Sequence, residues 1–436
     1  MFDVQKASAT IQELFTATAT TLARATKFVQ RESKLTGAGF AQTMVFGFLD
    51  EPAATLNDLA QTSEELGVTI TPQGLDERIN PAAVAFLKQL FQQSMASFRN
   101  TTPLEVALLT QFPAVEITDS TVIALPASLQ AEFPGCGGDG PAAALKVQLV
   151  FDYLRGNLEV VEWQTGRTPD QNYTGYLAAG PAGALHLHDL GYFKLMALQQ
   201  TAAQSYFFSR LLTSTTVLDP TGTPVDLLDL VRTAPLGAGE REILLGVDER
   251  IPCRLIYIPV PEAVANERRR KARATAQRKG RTPSKRHLAL LSWSFYVTNV
   301  PATRLAIPQA LILASVRWQI ELIFKLWKSY GRLARVAGLR RERVLGELYA
   351  KMIGLVLTQF LTAPQRLTRL GELSPVKALR VCQRQALAWA RSLRDLPQLE
   401  HVLAGVVTKM LRFGQKEKRQ KRSTTCQQLL AAHSTA

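Results

Sequence analysis

The stretch Arg317-Trp318-Gln319-Ile320-Glu321-Leu322-Ile323-Phe324-Lys325-Leu326-Trp327-Lys328 sets one carboxylate, Glu321, between two cations. Read as a single helix at 3.6 residues per turn, it brings Arg317, Glu321 and Lys328 within about 40° of one another. Ile320, Ile323, Phe324 and Trp327 then make a neighbouring apolar stripe that presses the polar face against a core. Such a face suits phosphodiester chemistry, in which the acid holds a divalent metal and the cations hold phosphates. An Arg/Glu pair at this spacing is also an ordinary solvated helix face. Further acids decide between the two readings, and the strands upstream supply them.

Val115 to Leu125 is β-branched and alternating, as in a strand. Asp119 interrupts it with a carboxylate, followed by the hydroxyls of Ser120 and Thr121. Leu145 to Leu154 and Leu158 to Gln164 read as two further strands about an Arg155-Gly156-Asn157 hairpin. After a short helical stretch near Tyr173 to Ala179, Ala184 to Asp189 reads as a fourth strand ending on a carboxylate. Should the first and fourth strands pair, Asp119 and Asp189 lie side by side, and a divalent cation is expected between them. His186 and His188 point to one side of that strand. No further ligand at zinc spacing accompanies them, so they read as ordinary strand residues. Acids from two neighbouring strands and a later helix outline a ribonuclease H-like sheet.

The charge balance agrees with a polyanionic partner. The chain of 436 residues carries 51 Lys and Arg against 36 Asp and Glu, a formal charge of +15, and the excess is clustered. Glu262 to Arg286 contains Arg268, Arg269, Arg270, Lys271, Arg273, Arg278, Lys279, Arg281, Lys285 and Arg286, opposed by Glu262 and Glu267. So one-sided a run repels itself without an anion nearby, which favours a DNA-tracking arm over a solvated helix face. A second basic run covers Arg412 to Arg422. Cys136, Cys253, Cys382 and Cys426 form no CxxC, which excludes a simple zinc ribbon and gives no sign of a disulfide scaffold. The first residues lack a signal-peptide pattern, and no apolar run approaches about 18 residues. A cytoplasmic, nucleoid-associated protein with no membrane span is expected.

Nearer the start, Gly67 reads as a helix C-cap, and Thr71-Pro72 and Asn80-Pro81 read as helix starts. A short helix, a tight turn and a second helix is the outline of a helix-turn-helix. An ordinary helical bundle fits the same text, since Asp76 and Glu77 stand beside Arg78.

Three segments carry a family resemblance: Ile117-Thr118-Asp119-Ser120-Thr121, Asp189-Leu190-Gly191-Tyr192-Phe193, and Arg317 through Glu321 to Lys328. They resemble the three acidic motifs of bacterial DDE transposases, most closely the "insertion sequence four" family with its Y-R-E-K signature. The signature's Tyr falls on Ala314, which puts one phosphate or base contact in doubt and leaves the acids intact. The resemblance implies cut-and-paste transposition, with Asp119, Asp189 and Glu321 holding two Mg²⁺ (or Mn²⁺) ions. Arg317 and Lys328 would grip phosphates, and a homodimer would act on the terminal inverted repeats and target DNA. It also implies a hairpin intermediate, with Trp293 stacking on a flipped base, although Trp293 reads equally well as a core residue. A structure-selective nuclease or resolvase, or a non-catalytic DNA-binding derivative, remains as an alternative.

The architecture expected is α/β: a ribonuclease H-like core interrupted by a β-rich insertion, with helical terminal regions. Residues 1–105 form the helical DNA-binding domain and 106–213 the first part of the core. Residues 214–303 form the insertion with its basic arm, 304–335 the catalytic helix, and 336–436 a helical tail.

Overall fold

The computed structural model describes residues 2–31, 34–233, 237–368, 371–417 and 423–432. Its large sheet contains β1 (Val115–Leu125), β2 (Ala143–Asp152), β3 (Asn157–Thr165), β4 (Leu185–His188), β5 (Tyr206–Arg210), β6 (Val217–Leu218), β7 (Gly239–Leu245), β8 (Ile251–Pro259) and β9 (Trp293–Thr298). They hydrogen-bond in the order β3-β2-β1-β4-β5-β9-β8-β7-β6. β2 and β3 form an antiparallel hairpin, turned by Gly156 at φ +78°, a left-handed conformation that suits glycine. β1, β4 and β5 run parallel. An antiparallel hairpin beside three parallel strands, in the order 3-2-1-4-5, is a ribonuclease H-like sheet, as the sequence predicts.

The inserted stretch carries β6 to β9 together with the helices Leu227–Thr233, Glu262–Arg278 and Lys285–Leu290, and its strands do not stand apart. β9 pairs antiparallel with β5, and β8, β7 and β6 continue the same sheet. Without them β5 would leave an open row of backbone donors and acceptors at the edge. Phe207 of β5 shares one buried core with Leu245, Leu255 and Val297 of the insertion. The last strand of the insertion is preceded by a helix. Ser284 accepts the His287 N–H at 3.1 Å and starts a short helix, Lys285–Leu290, so β9 opens only at Trp293. The basic stretch is helical over Glu262–Arg278.

The chain folds as two compact units. The first takes in residues 1–104, 120–168 and 320–422 and is largely helical. Its spine is the Arg341–Thr362 helix, buried along most of its length against the Pro81–Ser97 and Gly37–Asp50 helices. Inside this spine Lys351 donates to Glu347 at 2.7 Å and to the carbonyls of Arg332 and Arg335, so the buried ammonium is fully engaged. Trp163 stacks on Tyr349 with centroids 4.1 Å apart.

The amino-terminal capping signals hold. Gly67, at φ +87°, follows the Leu56–Glu65 helix, and Thr71 and Asn80 cap the Pro72–Arg78 and Pro81–Ser97 helices. The Pro72–Arg78 helix is tied to its own unit: Arg340 donates to the Asp76 and Ile79 carbonyls at 2.8 and 3.1 Å. Of the second basic run, residues 418–422 lie outside the described residues.

The second unit takes in residues 105–119, 169–319 and 423–436. In it the Thr425–Ala431 helix packs on the Ile307–Val316 helix, and Gln319 donates to the Thr425 hydroxyl at 3.0 Å.

Among the described residues, two helical stretches, Ile307–Tyr330 and Arg341–Gln365, are long and apolar enough to cross a membrane by length and composition alone. The second is a core helix, 94% buried in the protein. The first carries Arg317, Glu321, Lys325 and Lys328.

Candidate active site

The parallel pairing of β1 with β4 sets Val115 against Leu185, Glu116 against His186, Ile117 against Leu187 and Thr118 against His188. Asp119 and Asp189 are the next residue on each strand. Both faces of the strands below them are buried: Ile117 and Leu187 on one side, and Glu116, Thr118, His186 and His188 on the other. That suits central parallel strands, which have no solvated face. The two aspartates thus emerge together where the pairing of β1 with β4 ends. Asp119 is 19% exposed and Asp189 41%, so both carboxylates reach solvent.

Arg317 comes to both. Its Nη1 lies 3.6 Å from Asp119 Oδ2, and its Nε lies 3.8 Å from Asp189 Oδ1. These are ion pairs longer than hydrogen bonds. The guanidinium also lies over the Trp318 ring, 4.8 Å from its centroid, and Trp318 is 57% exposed. Trp318 is a neighbour of the site that the motifs do not single out, and its adjacency to Arg317 is the only signal for it in the sequence.

The single helix expected from Arg317 to Lys328 is broken. The Ile307–Val316 helix ends before Arg317, a turn spans Arg317 and Trp318, and a new helix runs Gln319–Lys325. The Trp318 N–H bonds to Ser315, three residues back, at 3.3 Å, so the winding tightens there. Leu326–Tyr330 then widens into a π turn. The one-face argument fails because it needs an unbroken 3.6-residue period. The apolar stripe largely survives: Ile320, Phe324 and Trp327 are buried and Ile323 is half-buried. Glu321 lies in the first turn of the second helix and Lys328 in the π turn, both half-buried. Ala314 is half-buried on the helix before Arg317.

Asp119, Asp189 and Arg317 belong to one unit, Glu321 and Lys328 to the other. Among the described residues, three or more His, Cys, Asp or Glu side chains nowhere gather closely enough to hold a metal ion. The acids brought together are the two aspartates.

Beneath them, His186 Nδ1 lies 3.3 Å from the fully buried Glu116 carboxylate, and the His186 and His188 rings are parallel at 6.0 Å. Burial pushes His186 down to about 4. Burial, and then the neighbouring His186, push His188 down to about 3. Both rings are therefore neutral near pH 7.

The basic quartet divides. Arg268 donates to the Trp293 carbonyl and the Ser294 hydroxyl at 3.0 and 3.1 Å, and its burial, then Arg210, lower its pKa. Arg269 donates to Ser292, Glu262 and Asn266. Arg270 is exposed, and Lys271 is exposed and paired with Glu267 at 2.7 Å. Trp293 is half-buried beside Tyr257, with centroids 6.2 Å apart, and packs against the insertion's core.

Residues 110–357 match the family described as "Transposase DDE domain", a span that holds Asp119, Asp189, Arg317, Glu321 and Lys328. The transposase for insertion sequence element IS1151 of Clostridium perfringens is 31% identical over 359 residues, 77% of this chain and 76% of that one. The transposase for insertion sequence element IS231E of Bacillus thuringiensis subsp. finitimus is 30% identical over 358 residues, 77% of this chain and 75% of that one. Among solved structures, a piggyBac transposase synaptic complex with hairpin DNA aligns at a TM-score of 0.45 and 10% identity, covering 94% of this chain and 86% of that one.

Proposed function

The chain belongs to the transposase DDE domain family, and on that premise we propose that it is the cut-and-paste transposase of an insertion sequence. Its substrates are the element's terminal inverted repeats and target DNA, engaged by a homodimer on paired ends in the bacterial cytoplasm. The observation that supports this most is the in-register pair Asp119 and Asp189 with Arg317 between them. Two carboxylates side by side offer oxygen ligands, the donor chemistry that hard divalent ions take. With Glu321 as third ligand they would hold two Mg²⁺ (or Mn²⁺) ions, whose chemistry is to activate the attacking oxygen and stabilise the leaving one.

The remaining roles fall to side chains. Arg317 keeps the two carboxylates oriented and, with Lys328, holds phosphates at the element's end. The helices of 1–105 hold the duplex; 106–213 and 304–335 make the core, interrupted by 214–303 and followed by 336–436. The outward residues of the basic arm, Arg270 and Lys271, track the backbone, while Arg268 and Arg269 tie the arm to β9. Trp293 receives a base flipped beside the cut as the freed 3′-hydroxyl attacks the opposite strand. An aromatic face offsets about 1–3 kcal/mol of that unstacking.

The test is strand joining with Mg²⁺ on DNA that carries the flanking inverted repeats, with a plasmid as target. Joined product is expected. Cleavage without joining would reduce the protein to a nuclease, and binding without cleavage to a non-catalytic derivative.

A further inference from the structure

A groove of about 710 Å³ opens in the amino-terminal helices, far along the chain from the acids. Its walls are the loop Lys27-Phe28-Val29-Gln30-Arg31 and the junction Arg78, Asn80, Pro81 and Ala82. Three cations and two amides line it, and among the described residues no carboxylate does. Among the described residues, Lys27, Arg31 and Arg78 take part in no ion pair, although Glu and Asp side chains elsewhere in the same unit pair readily with Arg99, Arg340 and Arg391. A set of three cations in one concavity raises the local concentration of anions.

The groove is built rather than incidental. Phe28, 7% exposed, is wedged between Phe40 and Phe86 with centroids 4.7 and 5.4 Å away. This pins the loop to the Pro81–Ser97 helix. Lys27 adopts φ +58°, and the Val29 N–H bonds to the Ala23 carbonyl at 3.0 Å. That closes the preceding helix in the left-handed form usually left to glycine, so the loop's backbone is fixed before any ligand arrives. Across the groove, Asn80 caps the 17-residue Pro81–Ser97 helix by accepting the Ala83 N–H at 3.0 Å. The positive end of that helix's dipole therefore faces the same space as the three cations.

We infer that this groove binds a phosphate diester of the DNA backbone, fixing the register of the element's end without reading its bases. The inference rests on the transposase reading. It adds a binding site that neither the basic arm nor the acid motifs contain.

The test compares the wild type with K27Q/R31Q/R78Q for equilibrium binding to a terminal-repeat duplex and a random duplex of equal length, across about 50 to 200 mM salt. The slope of log affinity against log salt should flatten by roughly 0.9 for each phosphate the variant no longer neutralises, on both duplexes. The swapped variant K27R/R31K/R78K should restore the wild-type slope, which a merely misfolded protein would not do. An unchanged slope overturns the inference, and so does a weakening that the swapped variant fails to restore. Titration with inorganic phosphate supplies the other source: protection against thermal unfolding with no change in the DNA slope would assign the groove to a free anion and overturn the inference. A wild type that binds random but not terminal DNA would sink the transposase reading and leave the groove testable.

Discussion

Asp119 and Asp189 follow directly on Thr118 and His188, the last register partners of β1 and β4, and one guanidinium lies within 3.8 Å of both carboxylates. Two like charges side by side repel unless a cation stands between them. Arg317 supplies that cation from the turn between two helices.

Arg317→Ala should therefore disable the site rather than the DNA grip. Cleavage of an end duplex is expected to fall on the order of 100-fold or more, while affinity falls by no more than the share of one phosphate. Arg317→Lys should recover part of the rate, because an ammonium is a point charge and lacks the planar fork. Measuring rate and affinity on the same preparations decides it. An Arg317→Ala protein that cleaves normally would remove Arg317 from the site.

The basic helix should split by residue. Arg270→Gln with Lys271→Gln is expected to flatten the salt slope of DNA binding by roughly 0.9 per phosphate and leave thermal stability unchanged. Arg268→Gln is expected to destabilise the protein by about 1–3 kcal/mol, since it strands the Trp293 carbonyl and the Ser294 hydroxyl. Calorimetry beside binding curves separates the two. Equal salt effects from all four residues would contradict the division.

The buried histidines predict an acid-side loss of stability. Their folded pKa values, about 4 for His186 and about 3 for His188, lie below the ordinary value of 6.5. The unfolded chain therefore binds more protons as pH falls. Their contribution is complete above about pH 6.5 and is lost as pH drops from there toward 4 and 3, by up to about 1.4 kcal/mol per pH unit for each ring. His188→Asn should flatten the fall in unfolding free energy between about pH 6 and 4. An unaltered slope would place the titration elsewhere.

Trp293→Ala tests the flipped base. The first nick should stay nearly normal and hairpin formation should slow, with partial rescue by an abasic site at the flipped position. A variant that fails at nicking and melts much lower would make Trp293 a core residue, as its packing beside Tyr257 allows.

The parts legible in the sequence are those governed by local rules. β1 announces itself by alternation and β-branching and β4 by alternation, and their aspartates by interrupting the one and ending the other. Thr71-Pro72 and Asn80-Pro81 mark two helix starts through capping chemistry. What stays hidden depends on partners distant in the chain. Nothing near Trp293–Thr298 says that this strand will close the edge left by β5. Arg268 and Arg270 look alike as text, and the backbone oxygen and hydroxyl around Arg268 set it apart. The break at Arg317 is invisible in the sequence because Ala314 to Gln319 contains neither Pro nor Gly. The turn there places Arg317 beside two acids from far earlier in the chain.

If Asp119, Asp189 and Glu321 together hold the catalytic metal ions, removing any one of them should stop the chemistry and spare the binding. Gel-shift and Mg²⁺-dependent cleavage assays on one terminal-repeat duplex, run side by side for Asp119→Asn, Asp189→Asn and Glu321→Ala, test this most directly. Each variant should bind the duplex close to wild-type affinity, which comes mainly from Lys and Arg, and cleave it undetectably. Full cleavage by any one of the three would contradict the assignment.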